Sequence, residues 1–385
     1  MIGMRRIRLL LAVACLSSGP WSVNVDPVAA ALLYKPLYAW GNNSLGQLGI
    51  GSAPSPLTPT HVGTKQWLMI DAGARHSLGI RADGSLWAWG DNSGGELGIG
   101  NLASQAYPVK VDTNSWVAIS AGDTHSLAIR ADGSLWAWGI NGGGELGIGN
   151  TQNKIAPVQV GTNKWLAVSA GNGHSLGIRA DGTLRSWGYN HHGQVGDGTL
   201  THRFTPVQIG PHKWLAVSAG RNHSLGLRAD GSLRAWGQND HGQVGNGSTV
   251  DQLKPIQAGL ATWNAISAGD RHSLAIRADG SLWAWGENSV GQLGDGTGIE
   301  RLTPVHIGTG KWRAVSSGAS HSIGIRANGT LRSWGYNFDG QLGDGTTNNR
   351  LAPVLIDSGN WRSVAAGGSY SLSVKELTIS LVPLP

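Results

Sequence analysis

Six histidines recur at intervals of 49 residues: His76, His125, His174, His223, His272 and His321, with Tyr370 in the seventh place. Histidine is a common general base and metal ligand, so a metal or catalytic reading has to be weighed first. Zinc requires its nitrogens at about 2.0–2.1 Å from one ion, and copies from separate repeats of a ring do not converge on a point. Tyrosine in the seventh place suits a hydrogen-bonding role better than a ligand. We therefore expect each histidine to tie down the turn beside it, as buried polar groups require. A second series, Arg81, Arg130, Arg179, Arg228, Arg277 and Arg326, ends at Lys375 and is followed two residues on by Asp83 through Asp279, with Asn328 as the exception. An anion-binding belt competes here with a repeated ion pair at a hairpin end; the ion pair is expected, at about 0–1 kcal/mol each. Glycine runs such as Gly142–Gly144 lack the Lys-Ser/Thr and the helix of a phosphate loop. Asp-Gly-Thr at Asp197, Asp295 and Asp344 reads as turn chemistry. The sequence thus predicts no catalytic set, no metal and no cofactor, and hence no enzyme.

The elements that carry these residues follow from the same period. Trp-Gly begins at Trp40, Trp89, Trp138, Trp187, Trp236, Trp285 and Trp334, and a second tryptophan series runs from Trp67 to Trp361 in the same steps. The two series account for 14 of the 18 tryptophans. One unit reads Trp116-Val-Ala-Ile-Ser-Ala-Gly, His125-Ser-Leu-Ala-Ile-Arg, Ala-Asp-Gly, Ser-Leu-Trp-Ala-Trp138-Gly, a glycine-rich stretch, then Pro157-Val-Gln-Val. Asp-Gly between short apolar runs marks a hairpin, and nothing shows helical spacing. Each unit gives four short strands, A to D, and four antiparallel strands at this period make a propeller blade. The first Trp-Gly belongs to a strand C with no A or B before it, and Trp361–Ala365 and Ser371–Val374 supply an A and a B with no C or D after. The two ends together complete a seventh blade. The predicted fold is all-β: a single seven-bladed propeller over residues 37–375, closed by a blade made of both chain ends.

Composition agrees. Glycine is 60 of 385 residues and charged residues are 14%, too few for a charge-rich disordered chain. No apolar run approaches the 18 or so residues of a membrane span. Three of the positive charges, Arg5, Arg6 and Arg8, sit at the very start, and Leu9–Leu16 is uncharged. That pattern is a secretory leader, which we place at residues 1–31, with residues 376–385 as a tail. Two processing routes compete: cleavage at Ala29-Ala30-Ala31, or lipidation of Cys15 at Leu11-Ala12-Val13-Ala14-Cys15, which resembles a bacterial lipobox. Cys15 is the only cysteine, so no intrachain disulfide forms. The expected product is exported: periplasmic, extracellular or at the cell surface, touching membrane only through a lipid anchor. No Lys/Arg cluster interleaves with aromatics, so nucleic acid is not an expected partner.

Ala-Gly-x-x-His-Ser-Leu, Arg-Ala-Asp-Gly-Ser-Leu-x-Ala-Trp-Gly-x-Asn and Gly-Gln-Leu-Gly-Asp-Gly-Thr resemble the repeats of the regulator of chromosome condensation family. The resemblance covers about residues 37–375 and implies a seven-bladed propeller. The family's founder is a chromatin-bound nucleotide exchange factor that works through a wedge-like insertion in one blade. The seven units here have equal length, so no blade carries that wedge, and an exchange-factor-like regulator is the weakest of the readings. In repeat type, blade number and leader the chain is also similar to the secreted, propeller-type β-lactamase inhibitory proteins of soil bacteria, which bind through loops of one face.

Variation between the units locates a binding face. Alternating strands put the A–B and C–D turns on one side of the ring and the B–C hairpins and D–A links on the other. The B–C hairpins are nearly constant, whereas the A–B and C–D turns vary. Tyr, His and Arg are favoured interface anchors, which selects Tyr189, His191, His192, Arg221, His241 and Arg271, with Tyr336 and Phe338 further round the ring. A non-enzymatic, monomeric propeller binding a protein partner on this face is the leading expectation. A cell-wall or carbohydrate binder is the alternative, because Trp87, Trp136 and Trp283, replaced by Arg185, Arg234 and Arg332 in other units, are expected to face outward and to stack on sugars.

Overall fold

The structure, a computed structural model, describes residues 33–378. The leader, Cys15 and most of the tail lie outside the described residues. Blades are numbered from the unit that begins at Trp67. In blade two, strand A is Trp116–Ala121, strand B His125–Arg130 and strand C Ser134–Gly139. Every described element is a strand, and the described strands pair antiparallel. Closure is as expected. Trp361–Ala366 pairs with Tyr370–Lys375, which pairs with Pro36–Gly41, which pairs with the strand starting at Thr60. Seven blades close the ring, so neither end of the described chain leaves an incomplete blade.

The D–A links differ from the reading of four separate strands. Strand D of one blade and strand A of the next form one continuous strand at five junctions: Thr60–Ala72, Lys154–Ala170, Arg203–Ala219, Gln252–Ala268 and Arg301–Ser317. Each holds a glycine with positive φ at the bend, Gly63, Gly161, Gly210, Gly259 and Gly308, a conformation that costs other residues energy. At the two remaining junctions aspartate stands in that place and the strand breaks. Asp112 Oδ1 accepts from the Asn114 backbone N–H at 2.9 Å, and Asp357 Oδ1 from that of Gly359 at 2.8 Å. A local aspartate turn has replaced the glycine bend.

Both tryptophan series are core. The Trp-Gly tryptophans are fully buried, and the strand-A series is 1–4% exposed. Within blade one Trp67 and Trp89 meet at 5.4 Å between ring centroids, and in blade three Trp165 and Trp187 meet edge-on at 5.7 Å. Burying 150–250 Å² per ring at about 25 cal/mol/Å² stabilises each by up to about 4–6 kcal/mol. Strand B lies beneath the strand-A ring and must stay small there: a Cβ on Gly79 would collide with Trp67. The repeated His-Ser-Leu-Gly/Ala-Ile-Arg reflects that contact.

Removing residues 37–62 takes strand C and the start of strand D from the composite blade and bares an edge on each side. The expected result is aggregation or a large fall in melting temperature. A shortened chain as soluble and stable as the parent would contradict ring closure.

Candidate functional site

The histidines do not tie down their own turns; they join blades. His76 Nε2 lies 2.8 Å from Ser126 Oγ of the next blade, and the contact repeats at 2.8–3.0 Å from His125 to Ser175, His174 to Ser224, His223 to Ser273, His272 to Ser322 and His321 to Ser371. Tyr370 completes the circle, its hydroxyl 2.9 Å from Ser77 Oγ and donating to the His76 carbonyl at 2.6 Å. Ser126 Oγ donates to the Glu96 carbonyl of the preceding blade at 2.8 Å, and the same carbonyl receives Trp138 Nε1–H at 2.7 Å. A serine hydroxyl has one proton to give, so Ser126 accepts from His76 and the proton sits on Nε2. Nδ1 is then a bare acceptor, and it has no partner in any of the six rings. These histidines and serines are fully buried. Burial pushes the histidines down from 6.5, His76 and His321 to about 4 and His125, His174, His223 and His272 to about 3. They are neutral structural groups committed to the blade joints.

The arginine series is also not the expected ion pair. Arg81 stacks on Trp87 at 3.4 Å from the ring centroid, Arg130 on Trp136 at 3.5 Å and Arg277 on Trp283 at 3.4 Å. The following aspartates turn to the chain instead: Asp83 Oδ1 accepts from the backbone N–H and hydroxyl of Ser85. Trp87, Trp136 and Trp283 are half-buried, and a guanidinium covers one face of each, so less ring is left for sugar stacking than the sequence suggested.

The varied turns are built on a fixed frame. After each Trp-Gly, the second residue is a buried asparagine. Asn190 Nδ2 donates to the carbonyls of Thr199 and Thr201, and its Oδ1 accepts from Val195 N–H. Asn43, Asn92, Asn141, Asn239, Asn288 and Asn337 do the same in their blades. Varied side chains therefore stand on rigid loops.

On this frame Tyr189 of blade three, 36% exposed, stacks on His202 at 4.5 Å and meets His191 edge-on at 4.6 Å. His192 Nδ1 is 3.0 Å from Asp251 Oδ2 of blade four. His241 Nδ1 is 2.5 Å from Glu300 Oε1 of blade five, and Arg271 Nη1 donates to its Nε2 at 3.2 Å. These groups form an aromatic-to-charged strip across blades three to five. Arg221 stands apart from the strip, nearer the axis. Tyr336 and Phe338 form a separate patch on blade six, with ring centroids 6.5 Å apart and Phe338 73% exposed. The predicted residues share one face but make three groups, not one.

Sequence reasoning missed His202, Asp251 and Glu300. They occupy one periodic position with Ser55, Ser104, Asn153 and Asn349, always a hydrogen-bond acceptor. In most blades it receives the N–H of the buried asparagine, as Ser55 does from Asn43 and His202 Nδ1 from Asn190. That acceptor-only pattern was the available signal. Exposed Leu200, Val250 and Ile299 on the same C–D connections were missed because a large apolar residue does not recur at their places in most blades. The opposite face is less uniform than its hairpins suggested: a bulge after the strand-A tryptophan exposes Leu68, Val117 and Leu215.

Residues 161–378 match the model described as RCC1-like domain, and residues 36–80, 83–129 and 132–178 match the regulator of chromosome condensation (RCC1) repeat. A comparison with curated protein sequences gives no significant match. Among solved structures, Prp20p of Saccharomyces cerevisiae, described with its binding to Gsp1p and histones, is 24% identical, with a TM-score of 0.82 over 90% of this chain and 92% of its own. Yeast RCC1 (Prp20) bound to Kap60 is 22% identical, with a TM-score of 0.82 over 97% of each chain. Human WBSCR16 is 21% identical, with a TM-score of 0.81 over 90% of this chain and 100% of its own. At these identities the likeness shows the fold.

The joint predicts a pH dependence. A histidine whose folded pKa is depressed stabilises the fold above its unfolded value of 6.5 and loses that stabilisation as pH falls towards 3–4. Asp71 and Asp270, lifted by burial to about 6, and Glu96, Asp123 and Glu145, also raised by burial, act the other way, weakening the fold as pH rises, but they are five against the six histidines. The melting temperature should drop by roughly 10 °C or more between pH 7 and pH 4.5. A flat profile over that interval would contradict the assignment.

Proposed function

Because the chain belongs to the regulator of chromosome condensation (RCC1) repeat family, we propose that it is an exported, non-enzymatic scaffold that binds a protein partner through the A–B and C–D turns of one face. One observation carries the reading. The asparagine frame is the same in every blade and the histidine joint in all but the closing one, so the fold accounts for sameness, yet the side chains standing on that frame differ from blade to blade. Rigid supports lower the ordering cost of binding, and aromatic and arginine side chains are the usual anchors. The exposed Phe338, Leu200, Val250 and Ile299 on the same face add apolar area suited to a protein surface. Yeast Prp20, which has the same fold, is described with protein partners: Gsp1p and histones in one structure and Kap60 in another. The histidines that would be first choice for acid–base work are held in blade joints, which supports a binding role over catalysis. Export rests on the basic and apolar leader. Leu33–Tyr34 pairs with Leu377–Thr378 beyond the hairpin-side ends of the composite blade, so a tether at the N-terminus leaves the varied face pointing away from it.

Calorimetry with a partner captured on the processed protein tests the reading. Tyr189→Ala and Tyr336→Ala should each weaken binding by about 1–2 kcal/mol or more with little change in melting. Arg81→Ala, on the opposite side, should leave affinity unchanged and lower stability by about 0.5–2 kcal/mol as its stack on Trp87 is lost. Affinity that depends on Arg81 and ignores both tyrosines would place the interface on the other face. Accelerated nucleotide release from a small GTPase would replace the scaffold reading with the exchange-factor one.

A further inference from the structure

The seven A–B turns converge on the propeller axis and enclose a cavity of about 120 Å³ at the mouth of the central channel, on the varied face. The fold fixes part of its wall. The glycine of each Ala-Gly step cannot take a side chain, because a Cβ on Gly73 or Gly171 would run into the backbone carbonyl of the next blade's glycine. The residue after that glycine is free of this constraint. Round the ring it is Ala74, Asp123, Asn172, Arg221, Asp270, Ala319 and Gly368, all lining the cavity. Three blades manage with alanine or glycine, so the joint needs no polar group there. The other four, which are consecutive, all carry one. The mouth therefore has a polar wall over blades two to five and an apolar wall over blades six, seven and one.

The polar wall is unbalanced. Asn172 Nδ2 donates to Asp123 Oδ2 at 2.5 Å, and Arg221 Nη1 to Asp270 Oδ2 at 3.4 Å. Asp123 has no ion-pair partner within 4 Å among the described residues. Of the wall residues two are carboxylates and one is a guanidinium, and Arg221 and Arg271 both act on Asp270, so Asp123 is the carboxylate left without an ion pair. Burial raises both carboxyls, Asp270 to about 6 with the Asp123 charge adding to the effect. Partly desolvated charge without a partner is costly, and a single cation offsets it. The size of the cavity narrows the choice further. Pockets for whole small molecules begin near about 300 Å³, so this one takes the end of something larger.

We infer that the channel mouth receives one cationic side chain of the protein partner, a lysine or arginine whose methylene stem lies along Ala74, Ala319 and Gly368 and whose charged head meets Asp123 and Asp270. Such side chains are apolar along the stem and charged at the tip, matching the two walls. The inference rests on the varied face being the binding surface and supplies the chemistry of its central anchor.

The test uses the full chain with n-butylammonium and n-butanol as probes, followed by calorimetry at pH 7.5. Saturable ammonium binding is expected, with butanol at least tenfold weaker. The Asp123→Asn/Asp270→Asn double variant should lose at least tenfold in ammonium affinity. Asp123→Ala/Asp270→Ala serves as a second variant, since alanine is native at this place in two blades, and thermal melting confirms that both fold. No saturable ammonium binding, or equal binding by a folded double variant, overturns the inference. With a captured partner, loss of affinity in Tyr189→Ala or Tyr336→Ala but none in the aspartate variants removes the channel anchor and keeps the face. Ammonium binding that needs both aspartates, beside a partner indifferent to both tyrosines, keeps the channel and removes the face.

Discussion

The ring is held by one contact made six times and by a tyrosine variant of it at the closure. A histidine, or Tyr370 at the closure, meets the serine of the next blade; that serine and the Trp-Gly indole of its own blade both bond one carbonyl of the blade before. Both lone pairs of that carbonyl are used, and every group is buried, so each bond is strengthened by the low dielectric around it. Leaving any member unpaired would carry the full desolvation penalty. Four groups on two neighbouring blades have to arrive together, which fixes their places within each unit.

The composite blade shows how the same joint closes the chain. His321 reaches Ser371, and Trp40 bonds the Gln341 carbonyl, so the last full blade grips both chain ends. The Tyr370 hydroxyl reaches Ser77 and the His76 carbonyl, joining the composite blade to the first. Tyrosine is longer than histidine, and the substitution falls where the two chain ends must be brought into register. A position that looked like a lapse in the repeat is therefore the closing contact.

Much of the fold was legible because the period shows which positions face other blades. The blade count, the composite blade and the two buried tryptophan series follow from spacing alone. The continuous D–A strands did not, although the glycine at Gly63, Gly161, Gly210, Gly259 and Gly308 and its change to aspartate at Asp112 and Asp357 stood in the sequence. A glycine bend and a loop read alike until φ is known. The histidine role was half legible: burial and hydrogen bonding were expected, but a partner 50 residues away lies outside any local pattern. The site was least legible. Variation marked the face, yet whether Tyr189 joins His202 or Tyr336, and which polar turns meet at the axis, depends on how the blades splay around the ring.

Since the same joint that fixes the blades frees the turns to vary, the state of the histidine rings is where the account is most exposed. A long-range proton–nitrogen correlation spectrum of the imidazoles at pH 5 reads it directly. The account predicts six rings in the neutral form with the proton on Nε2. Six rings that are charged at that pH, or neutral with the proton on Nδ1, would contradict it.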